Sequence, residues 1–403
     1  MSDALLPFGR ASAAPLAGRT ILQIVPPGAA GGDERATLAV AAALVEAGAR
    51  ALVASESREF AAELQAAGGL HVPFPTGARS PLALTLNVRR LARILQTEGV
   101  DLVHARSRGA AWIALRACRS VKRAVVTTVT GEGKGSARTS FERAPGEGDR
   151  VIAASQYAAE RALALFPGAE GRLCIVRPGL DLAKLAPESV SRERVAAVRE
   201  SWGVAPHERV VLAPARLIAA RGQKVAIEAA ARVKFLGFDD LRFVIAGESV
   251  RQSYIRELDA LAKERGVTSL VTRVGPLEDR AAALLAAAAV VFPALDAEGV
   301  ARAPVEAAAI GALTIVSNIG AVRETIAAPP DFAAEERSGW LVPPGDAEAL
   351  GEAITAALSL GASARQGVRL RARARVAESH ALSRMTGDTL RVYVEALNDK
   401  DRG

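Results

Sequence analysis

With 403 residues the chain is too long for one ordinary hydrophobic core and about right for two domains. Half of the residues are hydrophobic and only 4% are aromatic, so the core must be built from Ala, Val, Leu and Ile, a composition suited to parallel sheets covered by helices on both faces. Net charge is +7; no apolar run is long enough to span a bilayer, and residues 1–20 carry Arg10 and Arg19 without the continuous apolar stretch of a secretory signal.

Strand-like runs at Ile21–Val25, Ala51–Ala54, Leu102–His104, Ala124–Thr128, Val151–Ala154 and Leu173–Val176 alternate with helical patterns near Ala36–Ala47, Leu84–Glu98 and Ala110–Arg119. Pro178-Gly179, then Pro187 and Ser189, punctuate the middle of the chain. A second series follows at Val210–Ala213, Phe243–Ala246, Thr272–Val274, Val290–Phe292 and Thr314–Val316, with helices near Gln223–Leu236 and Ile255–Arg265. The run Ala281 to Leu295, interrupted by Pro293, reads as an Ala-rich helix leading into a buried strand. Helices near Ala347–Leu358 and Arg369–Leu397 end the chain. Such alternation predicts an α/β fold of two doubly wound parallel sheets. Two sheets facing each other leave a cleft along the carboxyl ends of their strands, where ligands of open α/β sheets bind.

The basic residues are unevenly placed. Arg79, Arg89, Arg90, Arg93, Arg106, Arg108, Arg116, Arg119, Lys122, Arg123, Lys134, Arg138 and Arg143 face only Glu98, Asp101, Glu132 and Glu142 within one stretch. That excess could attract an anionic membrane surface at about 1 kcal/mol per basic residue, or it is a solvated helical face. Few aromatics and no binding motif argue against nucleic acid. Cys118 and Cys174 lack metal or redox spacing and can form at most one bridge, which favours a reduced, cytosolic setting. His71, His104, His207 and His380 are scattered, with no metal-ligand pattern.

Three loops carry candidate chemistry. The first strand runs through Pro26-Pro27-Gly28-Ala29-Ala30-Gly31-Gly32-Asp33-Glu34 into a helix, so glycine backbone and free N–H groups meet there. Ala30 breaks the G-x-G-x-x-G spacing, which disfavours a nicotinamide oxidoreductase. In the second loop, Arg216 and Arg221 flank a short turn that opens a helix, so that a diphosphate would meet two forked cations and the positive end of a dipole. Two solvated surface arginines would have the same sequence. In the third, Glu298 follows a strand and Glu306 comes eight positions later, with Pro304 suited to the first turn of the next helix. A carboxylate at that position can accept hydrogen bonds from a ribose diol, and Glu298 can meet sugar hydroxyls. An acid in a first helical turn also gains about 0.3–1 kcal/mol from the dipole alone.

These elements together resemble glycosyltransferase family 4 from Ile21 to about Leu358. Glu298-x7-Glu306 is similar to the family's paired glutamates, Arg216-Leu217-x3-Arg221-Gly222 to its R-L-x3-K-G element with Arg for Lys, and Gly31-Gly32-Asp33-Glu34-Arg35 to its G-G-x-E-R turn. Asp101-Leu102-Val103-His104-Ala105-Arg106-Ser107-Arg108 and Gly148-Asp149-Arg150-Val151-Ile152-Ala153-Ala154-Ser155 resemble the bacterial envelope-polysaccharide branch. The resemblance implies a GT-B fold with Rossmann-like domains at 1–188 (acceptor side) and 189–375 (nucleotide-sugar side), and a terminal helix at 376–403 packing back on the first.

It implies a retaining, metal-free transfer from a nucleotide-sugar to a glycan or lipid-linked acceptor in envelope (lipopolysaccharide-type) synthesis, in the cytoplasm or at the inner face of the membrane, with no cofactor. Arg216 and Arg221 would hold the donor diphosphate and Glu306 the ribose. Glu298 would hold the transferred sugar, Gly32 would approach the reacting centre, and Gly299, Val300, Ala301 and Arg302 would complete the donor loop. Gly31, Arg106, Arg108 and Thr130 would lie on the acceptor side.

Besides Arg221, three residues depart from the family pattern. Thr130-Gly131 stands where His-Gly is common, and Thr cannot carry a proton near neutral pH. Ala215 and Ala301 replace glycines. Thr130 therefore motivates a second reading, a transferase-shaped binding or partner subunit without turnover.

Overall fold

In the computed structural model, residues 16–25, 32–56, 61–78, 80–131, 138–249 and 251–402 are described. The chain divides into two units, one formed by Met1–Gly179 with Leu382–Gly403 and the other by Leu180–Ala381. The division thus falls ahead of the 188/189 point suggested by the sequence.

In the first unit, β1 (Thr20–Ile24), β2 (Arg50–Ser55), β3 (Leu70–Pro73), β4 (Leu102–Ala105), β5 (Ala124–Val129), β6 (Arg150–Ala153) and β7 (Leu173–Ile175) form one sheet in the order β3-β2-β1-β4-β5-β6-β7. Every pairing is parallel. All five residues of β1 are buried, as expected of a central strand covered on both faces. The Gly32–Glu46 and Leu382–Arg402 helices contribute to the apolar cluster on one face, and the Pro81–Thr97 and Arg108–Val121 helices to that on the other. Ser80 and Ser107 cap the latter pair through their hydroxyls, with Pro81 in the first helical position.

In the second unit, β8 (Arg209–Pro214), β9 (Leu241–Ala246), β10 (Val271–Val274), β11 (Ala289–Phe292), β12 (Thr314–Ser317) and β13 (Trp340–Val342) form a parallel sheet in the order β10-β9-β8-β11-β12-β13. Strand order reverses between β8 and β11, so the loops leaving their carboxyl ends diverge and leave room for a ligand. The doubly wound α/β class expected from the sequence holds in both units.

The sequence pattern missed β3 and β13. Both are short edge strands, and neither Leu70-His71-Val72-Pro73 nor Trp340-Leu341-Val342 carries an apolar run long enough to stand out. The single helix expected over Arg369–Leu397 is two, Ala362–His380 and Leu382–Arg402. Ala381 is extended (φ −62°, ψ 141°), and its segment bridges to Leu180, whose N–H donates to the His380 carbonyl at 2.8 Å. No Gly or Pro marks that break, so tertiary hydrogen bonding overrides local propensity. Among the described residues, no helix is long and apolar enough to cross a membrane. Cys118 and Cys174 are both buried and free.

The Leu382–Arg402 helix is fastened to the first unit by polar contacts. Arg150 pairs with Glu395 at 3.2 Å and with Asp399, and Arg19 with Asp401 at 2.7 Å. At the centre of the contact, His104 of β4 meets the Tyr393 hydroxyl through Nδ1 and the Thr128 hydroxyl through Nε2, each at 2.7 Å. Burial, reinforced by the Arg106 guanidinium, holds the His104 pKa well below its ordinary 6.5, so the imidazole is neutral. The unfolded chain therefore binds this proton more readily than the folded one. The stabilising contribution is complete above about pH 6.5 and is lost as pH falls from there through the lowered folded value. Thermal melting between pH 8 and 5 should show stability dropping by up to about 1.4 kcal/mol per pH unit from this group. A His104→Gln variant should flatten that limb; equal slopes for the two proteins would show that His104 does not set it.

Candidate functional site

Charged side chains gather at the carboxyl ends of β8 and β11, on loops held by backbone contacts to each other and to the loop after β12. The loop after β8 turns through Ala219–Arg221 and enters the Gln223–Phe235 helix at Gly222, which sits at φ 73°. A Cβ there would overlap the carbonyl oxygen of Pro293 in the loop after β11, so glycine is required twice over. The Leu295 N–H donates to the Ala220 carbonyl at 2.8 Å, which fixes the two loops edge to edge. The loop after β12 reaches the same place: Gly320 has φ 62°, and a Cβ on it would lie 2.7 Å from both the N and the O of Glu298. The Ala321 N–H donates to the Glu298 carbonyl at 2.8 Å.

This framework brings the Arg221 guanidinium into an ion pair with Glu298, each about one quarter exposed. Glu306 is buried, and its two carboxylate oxygens are held separately, one by Arg302 Nε at 2.9 Å and the other by Arg280 at 2.8 Å. Glu306 is the fifth residue of the Arg302–Ala309 helix and lies beyond its first turn, correcting the sequence expectation. The two guanidiniums, rather than the helix dipole, account for a buried carboxylate there. Arg216 is exposed, and among the described residues it has no ion pair. Gly299 and Ala301 are buried in the β11 loop, Val300 is partly exposed between them, and Ala301 caps the helix with no side-chain acceptor.

Behind the arginine loop lies a second layer of contacts. Gln223 is buried and donates from Nε2 to the Arg216 carbonyl at 2.9 Å. Its Oε1 accepts from the hydroxyl of buried Tyr254 at 3.0 Å. Burial, with the Glu257 carboxylate nearby, pushes the Tyr254 pKa up to about 12, which keeps the phenol protonated as a donor. The Leu217 N–H donates to the Glu248 carbonyl at 2.7 Å, and the Ser249 hydroxyl to the Leu217 carbonyl at 3.1 Å. Sequence reasoning missed Arg280, Gln223, Tyr254 and Gly320. Only Gln223, directly after Gly222, lies within a motif that could have drawn attention to it.

Of the candidates in the first unit, Gly31 falls outside the described residues, and Gly32, expected to approach the reacting centre, begins the Gly32–Glu46 helix that follows β1. Thr130 is exposed just past β5; its neighbour Gly131 has φ 69°, and a Cβ there would lie 2.8 Å from Ala158 Cα. Arg108 is exposed at the start of its helix. Arg106 instead turns inward: it is half-buried and donates to Gln23 Oε1 at 3.1 Å, and its charge acts on Tyr393 nearby. Among the described residues, no group of three or more His, Cys, Asp or Glu side chains could hold a metal ion.

Residues 195–375 match the family described as glycosyl transferases group 1, and residues 30–184 match glycosyltransferase family 4. The D-inositol 3-phosphate glycosyltransferase of Xylanimonas cellulosilytica is 28% identical over 182 residues, 44% of this chain and 42% of that protein, so the matched region spans under half of that relative's length. A glycosyltransferase from Rickettsia africae has the same fold, with a TM-score of 0.83 and 24% identity over 95% of this chain and 99% of that one. Anabaena HepE, solved with UDP and glucose, gives 0.74 and 19% over 94% and 100%.

The loop geometry makes Gly222 and Gly203 a matched test. Both have positive φ, but a Cβ at Gly203 meets nothing within 4 Å. Gly203→Ala should cost about 1 kcal/mol in urea unfolding and Gly222→Ala at least about 2 kcal/mol. Equal losses would mean that the Pro293 contact yields without strain.

Proposed function

We propose that this chain, which belongs to the glycosyltransferases of group 1 and family 4, moves a sugar from a nucleotide diphosphate-sugar to an acceptor with retention of anomeric configuration. The observation that carries the reading is the cluster of Arg216, the Arg221–Glu298 pair and the Arg280–Glu306–Arg302 group at the carboxyl edge of one sheet. The Gln223–Phe235 helix begins at Gly222 without a side-chain cap, so its first N–H groups remain available to an anion. Arg216 and Arg221 hold the diphosphate there and stabilise the charge that grows on it as the glycosidic bond breaks. Glu306 accepts from the ribose diol, and Glu298 from hydroxyls of the transferred sugar. Gly299, Val300, Ala301 and Arg302 line the donor loop. HepE, with its bound UDP, makes UDP-sugars the first candidates.

A panel of UDP-, GDP- and ADP-sugars scored by thermal stabilisation tests the reading, since a ligand at 100 times its Kd adds about 2.7 kcal/mol. With the donor so identified, Arg221→Ala should lower kcat/KM by at least about tenfold. An unchanged value would remove Arg221 from the site. Thr130, exposed where an imidazole is common, favours a second reading as a binding subunit: donor binding without product, and transfer gained by Thr130→His, would support it.

For the acceptor we propose a lipid-linked glycan at an anionic membrane surface, of the kind used in envelope polysaccharide synthesis. The Pro81–Thr97 helix supports it. Its outward face carries Leu82 and Leu86, 72% and 54% exposed, followed by exposed Arg89, Arg90 and Arg93. Apolar side chains beside a basic row are what an interfacial helix needs. Flotation should recover the protein with phosphatidylglycerol vesicles at low salt and much less with phosphatidylcholine. A Leu82→Ser/Leu86→Ser variant should reduce recovery about fivefold or more. Equal binding to neutral vesicles, or none to either, would discard the membrane surface.

A further inference from the structure

We infer that Tyr254 is a positioning residue for the donor diphosphate, acting through Gln223 on Arg216; this rests on the donor reading above. The hydrogen-bond directions leave one consistent arrangement. The Arg216 carbonyl can only accept, so Gln223 must turn its amide nitrogen toward it. Gln223 Oε1 then faces Tyr254, whose hydroxyl must donate. Gln223 and Tyr254 are 1% and 6% exposed, so water does not readily replace either bond.

The chain of contacts ends on the backbone of the exposed arginine. Arg216 has no ion pair of its own among the described residues, whereas Arg221 is held by Glu298. Its guanidinium is therefore placed by its backbone, and that backbone is fixed by the Gln223 amide and by the Ile218 N–H donating to the same carbonyl at 2.9 Å. Gly247, whose Cβ would overlap the Ala215 carbonyl, closes the other side. Tyr254 lies on the Gln252–Glu264 helix, 38 positions along the chain from Arg216, so the brace joins two separate α/β segments of the unit. Removing only the hydroxyl leaves the ring packed and frees Gln223 to rotate. Arg216 then loses its fixed starting geometry, and affinity for the diphosphate falls.

The test is a double-mutant cycle read by calorimetry, with UDP, GDP and ADP as probes. Tyr254→Phe should weaken binding of whichever diphosphate the wild type prefers by about fivefold or more, and in an Arg216→Ala background by less than about twofold. Melting temperatures confirm that each variant is folded. A purely structural role would lower the melting temperature and leave the two effects additive. Additive effects, or a Tyr254→Phe affinity within twofold of wild type, overturn the inference while leaving the donor reading intact. A wild-type protein that binds none of the three diphosphates overturns both.

Discussion

The close approach of Gly222 to the carbonyl of Pro293 sets the geometry of the second unit's charged edge. Because no side chain intervenes, the loops after β8 and β11 touch backbone to backbone, and the Leu295–Ala220 hydrogen bond locks their offset. Arg221, one residue before Gly222, then meets Glu298, which lies within the same β11 loop. Gly320 extends the arrangement by letting the loop after β12 close on Glu298 from the far side. Arg221 and Glu298 thus sit on a frame whose dimensions are set by the peptide groups of three neighbouring loops, which lose little freedom when a ligand arrives. Preorganisation of this kind suits electrostatic stabilisation of a bound anion.

Charge follows from that frame. Arg216, Arg221, Arg280 and Arg302 oppose Glu298 and Glu306, so these six side chains carry two positive charges in excess. A sugar-linked diphosphate carries two negative charges, which those two would offset. The carboxylates also offset repulsion among the guanidiniums. Glu306 can remain buried because each of its oxygens has a cation, and a ribose diol would add donors to those same oxygens.

Much of this could be read from the amino-acid order, for identifiable reasons. Buried parallel strands such as Ile21–Val25 and Val290–Phe292 are short, mostly apolar runs; Arg216 and Arg221 stand five positions apart around one loop, and Glu298 and Glu306 eight apart from a loop into the helix that follows it. What escaped detection depends on pairing between distant segments. Arg280 meets Glu306 across an intervening strand and loop, and Tyr254 meets Gln223 across another. The break at Ala381 has no breaker residue and follows from a hydrogen bond to Leu180. Arg106 reads as a solvent-facing cation after a strand, yet it turns inward, because Gln23 supplies a polar partner that no local pattern displays.

Another buried contact explains why the first unit needs the far end of the chain. His104 and Tyr393 are separated by 289 positions, yet each is the other's buried partner, and Tyr393 is fully buried. Without Tyr393, His104 Nδ1 would lose its partner beneath the sheet. A buried ring nitrogen left unpaired costs about 1–3 kcal/mol, comparable to a sizeable share of a domain's net stability. The carboxyl ends of β4 and β5, which lead to Arg108 and Thr130, are therefore held in place by a helix that the chain supplies only after it has completed its second sheet. Since Thr128 contacts His104 only two residues before Thr130, the polar network that anchors this helix also fixes the strand end from which Thr130 projects.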